Sequence, residues 1–560
     1  MRAAQPQLSS LHQIRAQLAN ARQLLQLGEL ERAEQVLRPL LQASQVPLDA
    51  LVMASSIALQ QKDYARARDL MEKVLQVEPD NPTHLYNYAT ALSVSGRKTE
   101  AVNAFRRALV INPDLIPIYP NLGHTLRDLG RSAEAIECYM KAFASGRIDI
   151  ATMSQILLSM HLFSQSDHGQ LFAMHRQLGG AIEQQHPRID LAQRSPRADG
   201  KLRIGYLSPR FSREIVGYFF KPLFDHHDRS RFELYLYSIT PRQDELTRYF
   251  TERADQWRDM GGADAATISR QIAEDEVDIL IDLAGHAPEN RIGVMAHRPA
   301  PLQVSLLDYF DTTGLTTIDY YVTDSYSSPR DTKQQFTETL MRLERPRLVY
   351  EPPEYAPEFA SNTSTEAPLT FGSFNRHHKV VPQVVATWSR LLLAVPDSRL
   401  LLKGRAYESS DMQAEFRQRF AEHGVEPQRI EFRAASPHQQ MLAEYADIDI
   451  ALDTFPYNGG LTTCEALWMG TPVLTLCGDR IISRQTAGML EAIGLPEFIA
   501  ADGDDFARIG VYWNEHRQAL LALRQGLRQR MAQSALTDAA GYTRELEDRL
   551  LAAWAERETS

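Results

Sequence analysis

Small and bulky apolar residues recur at a fixed interval through the first 150 residues. Ala33, Ala67, Ala101 and Ala135 lie 34 residues apart, and Leu37, Met71, Phe105 and Tyr139 keep the same period, as do Pro79 and Pro113. Gly28, Gly96 and Gly130 share it, with Lys62 in the corresponding slot. Apolar positions on either side of each slot follow helical spacing, so each unit predicts two helices joined by a tight turn. The best-formed units are 82–112 and 116–146, helical spacing continues over 153–185, and the polar stretch 187–200 predicts a linker. From Lys201 the period changes. Short apolar runs at 202–207, 233–239, 278–283, 302–307 and 318–323 predict strands, with an apolar stretch at 216–224 and a helix at 265–275 between some of them. After a segment rich in Pro, Glu, Ser and Thr (351–367), strands at 369–374, 399–403, 429–433, 448–452 and 472–476 alternate with helices at 380–394, 411–423 and 437–445. Alternating strand and helix predicts two parallel sheets covered by helices, whose ligands sit outside the carboxyl ends of the strands. The cleft between two such sheets is the natural site for chemistry.

The organisation expected is therefore a repeat array over 1–149, a helical connector and linker over 150–200, a first half over 201–350, a linker over 351–367 and a second half over 368–560. The 34-residue period, with small residues where helices touch and proline after the second helix, matches the tetratricopeptide signature. Four repeats stack into a superhelix with a concave face suited to a protein or peptide partner. The alternative role is a spacer or a dimerisation element, which would make the protein a homo-oligomer.

Composition narrows the class. A length of 560 residues requires several cores. A net charge of −11 without a strongly basic block argues against nucleic-acid binding. Cys138, Cys464 and Cys477 are far apart and odd in number, which suits a reducing cytoplasm and builds neither a disulfide framework nor a metal cluster. Residues 1–13 carry no signal-peptide pattern, and no run approaches a membrane span.

The most informative stretch runs from Asp453 to Gly470. The apolar strand Ile450, Ala451, Leu452 feeds a Pro/Asn/Gly loop ending in Asn458, Gly459 and Gly460, and a helix opens at Leu461, Thr462 and Thr463. Glycines let a ligand approach the backbone, and first-turn amides with two hydroxyls attract phosphate. Glu465, in the first turn, can accept hydrogen bonds from ribose. Together they predict a nucleotide-diphosphate site; a capped strand–helix turn without ligand is the alternative.

The repeats followed by two such halves resemble the bacterial O-linked N-acetylglucosamine transferases over nearly the whole chain. The resemblance rests on Arg203-Ile-Gly-Tyr-Leu-Ser208, His297-Arg-Pro-Ala-Pro-Leu-Gln303, Phe371-Gly-Ser-Phe-Asn375 with Lys379, the run just described, Ile482-Ser-Arg484 and a terminal helix over 542–554. It implies an α superhelix of tetratricopeptide repeats followed by an α/β GT-B fold of two Rossmann-like halves. It also implies inverting transfer of N-acetylglucosamine, or a related hexose, from a UDP-sugar to protein serine and threonine hydroxyls, without a metal. By this resemblance Lys379 meets the diphosphate, Thr462 and Thr463 bond phosphate oxygens, and Glu465 holds the ribose. Ser436 and His438 lie where uracil and ribose sit, and His286 lies where a Gly-His contacts the sugar or diphosphate. The alternatives are a solvated lysine, a surface histidine beside a helix cap at Ser436, and a structurally satisfied His286. Asp447 and Asp449 mimic a paired-aspartate cation motif but lack a further ligand.

The chain departs from the family pattern at several positions. Where Pro-Asp-Phe-x-x-His is usual, it reads Pro209-Arg210-Phe211-Ser212-Arg213-Glu214. Glu214 is a conceivable substitute base, and a salt bridge to Arg210 or Arg213 is its alternative role. Asp308 and Phe310 stand where a Gly-Tyr-Pro turn is usual, Met441 replaces a histidine near uracil, and Leu461 a first-turn threonine. Arg376 adds positive charge before Lys379. These changes admit a second reading, a weakened or inactive member serving as a repeat-based scaffold or nucleotide sensor.

Overall fold

The computed structural model describes residues 11–163, 167–191, 200–240, 242–361 and 365–559. Most of the linker expected at 187–200, most of the N-terminal stretch 1–13 and part of the segment 351–367 lie outside these residues. The chain forms two compact units, 1–152 and 153–560.

The first unit consists of four helix pairs: Leu11–Gln26 with Leu30–Leu41, Leu48–Gln60 with Tyr64–Val77, Pro82–Val94 with Lys98–Ile111, and Ile118–Asp128 with Ser132–Ala144. The periodic positions explain the pairing. Ala33, Ala67, Ala101 and Ala135 are fully buried where helices touch, and Leu37, Met71, Phe105 and Tyr139 fill the space beside them. The turn between paired helices needs left-handed backbone, which Gly28, Gly96 and Gly130 supply at φ 75°, 89° and 74°. Lys62 occupies that conformation in the second pair, at φ 64°.

The second unit begins with two helices, Ile150–Met160 (its first residues fall in the first unit) and His168–Gln185, and continues into two parallel sheets. The first sheet contains β1 (Leu202–Ser208), β2 (Phe232–Ser238), β3 (Gln256–Asp259), β4 (Ile279–Asp282), β5 (Leu302–Ser305), β6 (Tyr320–Asp324) and β7 (Thr339–Leu343), in the order β3-β2-β1-β4-β5-β6-β7. The second contains β8 (Thr370–Ser373), β9 (Arg399–Lys403), β10 (Ile430–Arg433), β11 (Ile450–Leu452), β12 (Val473–Leu476) and β13 (Ile499–Ala500), in the order β10-β9-β8-β11-β12-β13. Every pairing is parallel, and in each sheet the strand order reverses at the first strand, where a ligand crevice opens. This is the arrangement of two Rossmann-like halves. Three strands have no counterpart in the sequence pattern. β3 is polar, β13 has two residues and β7 is an edge strand, so none carries a sustained apolar run.

Two expectations change. The segment 153–185 is built into the second unit: a Cβ on Gly179 would lie 2.1 Å from the Gly314 carbonyl oxygen, so helix and loop backbones touch. The terminal helix, Ala539–Thr559, follows the second half in sequence but packs on the first. Its Glu547 accepts from His227 at 2.7 Å, and its Tyr542 hydroxyl donates to the Arg347 carbonyl at 2.9 Å. No described helix is long and apolar enough to cross a membrane.

Left-handed backbone costs a side-chain-bearing residue about 1–2 kcal/mol, partly offset by the extra unfolded-state freedom of glycine. Lys62→Gly should therefore stabilise the repeat unit by up to about 1 kcal/mol, read as a rise in its denaturant midpoint without a change in slope.

Candidate active site

The carboxyl ends of β1, β5, β8 and β11 surround a cleft lined by Phe219, Leu307, Asp308 and Phe310 from the first half and by Lys379, Tyr457, Gly460, Leu461 and Gln485 from the second. The geometry begins at β11. Asp453, the residue after this strand, is buried and accepts from the amides of Thr454 at 2.9 Å and Gly459 at 2.7 Å and from the Thr475 hydroxyl at 2.8 Å. Those bonds fold the loop back so that Gly460 lines the cleft, while the Gly459 amide and carbonyl are engaged within the fold by Asp453, Gln485 and Thr486. Gly459 admits no side chain, since a Cβ would lie 2.5 Å from Thr463 Oγ1 and 2.9 Å from Thr462 Oγ1. Close packing thus requires glycine at 459, whereas a Cβ on Gly460 would meet only the end of the Gln485 side chain, at 3.3 Å. The helix Leu461–Trp468 opens next, with the first-turn N–H groups of Leu461 and Thr462 directed out of its end.

Lys379 closes the site from the β8 side. A single 3-10 turn, His377–Lys379, delivers its ammonium to the Asn458 carbonyl at 2.8 Å and over the Tyr457 ring, 4.0 Å from the centroid. Burial pushes its pKa down to about 7, against the opposing pull of Asp453 and with help from the Arg376 charge. An ammonium held by a carbonyl and a ring face has no anion of its own, which suits it to receive one from a ligand. Arg376 is exposed beside it. Thr462 Oγ1 donates to Asn375 Oδ1 at 3.3 Å, tying the β8 loop to the helix start, whereas Thr463 is buried with its hydroxyl 3.2 Å from that of Thr486. The Asn458 side chain turns inward, donating to the Thr454 carbonyl at 2.9 Å, so only its backbone serves the cleft.

Glu465 and His438 come together. Glu465 is buried and accepts from His438 Nε2 at 2.7 Å, while His438 Nδ1 lies 2.7 Å from the Tyr355 hydroxyl. Burial raises the Glu465 pKa, and the His438 contact opposes that shift. His438 is therefore fixed in a chain of polar groups, not left as a surface residue.

Several sequence-based expectations change here. His286 does not line the cleft. It is buried, with Nε2 donating to the Thr313 carbonyl at 2.7 Å and Nδ1 3.2 Å from Ser154 Oγ. Burial lowers its pKa to about 3, so it carries no charge for a diphosphate. Ser436 does not cap a helix: the helix starts at His438 after Pro437, and the Ser436 hydroxyl donates to Glu444 at 2.9 Å. Met441 packs part-buried against the core. Glu214 sits between two guanidiniums, accepting from Arg242 and lying 3.2 Å from Arg210 Nε, so its carboxylate serves as a salt-bridge partner. Arg210 also pairs with Asp308. Asp447 pairs with Arg433, and Asp449 accepts from the Thr370 amide at 2.9 Å, so these two carboxylates have separate structural tasks.

Sequence reasoning missed Tyr457, Asp453, Gln485 and Arg347. Tyr457 and Asp453 lay inside the informative run, but an aromatic beneath a lysine has no spacing signal. Arg347 bonds the Leu307 carbonyl at 2.6 Å and Gln485 at 3.3 Å, a pairing across 138 residues that local pattern cannot show.

Comparison with known proteins agrees with this geometry. The glycosyl transferase family 41 profile matches residues 173–351 and 361–546, and tetratricopeptide profiles match 18–76, 58–118 and 116–145. A protein of Petunia hybrida named "Probable UDP-N-acetylglucosamine--peptide N-acetylglucosaminyltransferase SPINDLY" is 36% identical over 405 residues, covering 71% of this chain and 43% of that protein. The Arabidopsis thaliana protein of the same description called SEC is 28% identical over 365 residues, 63% of this chain and 37% of its own length. The chain thus spans less than half the length of these curated relatives. A mutant O-GlcNAc transferase of Thermobaculum terrenum superposes with a TM-score of 0.77 at 30% identity, covering 91% of this chain and 98% of that one. The fold, the placement of the cleft and the two-part profile match converge: this chain belongs to glycosyl transferase family 41.

Proposed function

We propose that this chain is an inverting glycosyltransferase of the cytoplasm, moving N-acetylglucosamine from UDP-N-acetylglucosamine to serine and threonine hydroxyls of proteins held by its repeats. The observation that carries the reading is the ammonium of Lys379 poised without an anion beside the Gly459–Gly460 backbone and the opening of the helix Leu461–Trp468. The relatives' names supply the sugar and the acceptor class; a related UDP-hexose would engage the same diphosphate groups. In the reaction the acceptor oxygen bonds to the anomeric carbon as the bond from that carbon to the phosphate oxygen breaks. The hydroxyl proton leaves to water or a base, and UDP departs with the electron pair. Lys379, Arg376 and the helix start stabilise the charge gathering on the diphosphate, the work that a cation does in metal-dependent transferases. Glu465 and His438 hold the ribose side. The reading as an inactive scaffold rests on substitutions alone, and none of them falls on Lys379, Thr462, Thr463 or Glu465.

Calorimetric titration with UDP tests the site. Charge-assisted contacts contribute about 1.5–3 kcal/mol, so Lys379→Ala should bind UDP at least about tenfold more weakly. Absence of binding by both forms would refute the assignment, and UDP binding without UDP release in the presence of acceptor protein would favour the scaffold.

The lowered pKa of Lys379 has a consequence of definite sign. The free site is largely neutral above pH 7 and a bound diphosphate favours the ammonium, so UDP binding at about pH 8 should take up close to one proton. Affinity should accordingly fall as pH rises through 7. Titrations in buffers of different ionisation enthalpy measure the uptake, and Lys379→Met should abolish it.

Glu214, as a salt-bridge partner, is dispensable for proton transfer. Glu214→Gln should retain kcat within a few-fold, against the roughly 10²–10⁴ loss expected of a general base.

A further inference from the structure

Beside the cleft lies a second cluster of titratable groups that the transfer reaction does not use. His161, from the segment following the helix Ile150–Met160, is fully buried, and neither ring nitrogen has a hydrogen-bond partner. His175, on the helix His168–Gln185, is also fully buried; its Nδ1 donates to the Leu171 carbonyl at 2.7 Å and its Nε2 accepts from the Tyr309 hydroxyl at 2.6 Å. Asp311, buried in the loop after β5, places Oδ2 3.6 Å from His161 Nε2. One donor atom from each of the three lies within 4.8 Å of the others.

We propose that His161, His175 and Asp311 form a divalent transition-metal site, of the class that takes zinc, separate from the reaction cleft. The donor set is two neutral imidazoles and a carboxylate, as in three-ligand zinc sites, and an ion at His175 Nε2 would take the place of the hydrogen bond from the Tyr309 hydroxyl. The backbone bond at His175 Nδ1 is the outer-shell contact that fixes the tautomer of a metal-ligating histidine. His161 supplies the independent sign of a ligand, since a fully buried imidazole with both nitrogens unbonded is costly and a bound cation gives one of them a partner. Ligands about 2.0–2.1 Å from zinc stand about 3.3 Å apart, so His161 Nε2 and Asp311 Oδ2, at 3.6 Å, are nearly in place, and the 4.8 Å that bounds the three donors leaves at most about 1.5 Å to close. The electrostatic surroundings admit a cation. Arg480 is the cation whose field reaches both His161 and Asp311, and the carboxylates of Asp311 and Asp479 act against its charge.

The ion would pin the loop after β5 to the two leading helices. That loop also carries Phe310, whose ring lies 5.0 Å from His161 and 4.9 Å from Tyr457, the ring beneath Lys379. The site is thus a structural support for the cleft wall. Sequence spacing could not show it, because its ligands come from three separate elements.

The test uses the untagged full-length chain, purified without chelator, with metal content measured by mass spectrometry. About one zinc per chain is expected, and replacement by Co2+ should give intense visible d–d absorption. His161→Ala should lower metal content at least tenfold and remove the absorption, while His168→Ala, altering a largely buried histidine that pairs instead with Asp479, should retain both. A chain that is metal-free and takes up no Co2+ overturns the proposal, as does His161→Ala holding the ion at the wild-type level. If His161→Ala does not fold, Asp311→Asn and the wild-type cobalt spectrum decide. UDP binding by a metal-free chain leaves the transferase reading standing while removing this one.

Discussion

One buried guanidinium holds the cleft together. Arg347 lies at the end of the first half and donates to the carbonyl of Leu307 at 2.6 Å, that of Tyr309 at 3.4 Å and Gln485 Oε1 at 3.3 Å. Gln485 passes the contact on, its Nε2 donating to the Gly459 carbonyl at 2.8 Å. A single side chain thereby connects the loop after β5 in one sheet to the glycine loop after β11 in the other. Leu307 adopts φ 74°, a left-handed conformation costly for a branched side chain, and the Arg347 bond to its carbonyl stabilises that turn. Arg347 is fixed in turn from behind: its amide donates to Asp324 at 2.6 Å, and its carbonyl accepts from Tyr542 of the terminal helix. This is why the last helix of the chain packs on the first half.

From that clasp follows the electrostatic character of the site. With the Gly459 carbonyl taken by Gln485 and Thr486, and its amide by Asp453, the loop presents the Asn458 carbonyl and the Tyr457 ring to Lys379. Both attract an ammonium, but neither compensates its desolvation as a carboxylate would. Asp453 is near enough to act on Lys379, yet its oxygens are occupied by the loop it folds. The ammonium is therefore under-stabilised in the free protein, which is the state from which a diphosphate gains most.

How much of this was legible follows from the range of each interaction. The repeat array was readable because its contacts are local and periodic: alanines and aromatics 34 residues apart all prove buried. Central strands were readable because burial on both faces demands continuous apolar runs, whereas β3 and β13 fell below that signal. Lys379 and Gly460 were legible as cleft residues because each lies in a short stretch of distinctive residue types just after a strand. His286 misled because a Gly-His after a strand implies a cleft position, while Ser154 of a leading helix and Thr313 of a later loop enclose it. Partners 132 and 27 residues away leave no local trace. Arg347 and Gln485 escaped for the same reason.

The departures from the family pattern look different once placed in space. Arg210, Glu214 and Asp308 read separately as losses. Together they form one network: Arg210 pairs with both Glu214 and Asp308, and Arg242 closes on Glu214 and Glu289. Arg210 and Asp308 are largely shielded from solvent, so either charge alone would carry an uncompensated desolvation penalty of several kcal/mol. Their mutual pairing offsets that penalty, on the side of the cleft opposite Lys379. The first-half wall thus sets Arg210 and Arg242 among Glu214, Asp308 and Glu289, while in the second half the Lys379 ammonium bonds a carbonyl and no carboxylate. The two walls of the cleft therefore differ in kind, one built of paired charges and the other holding an ammonium against a carbonyl and a ring face.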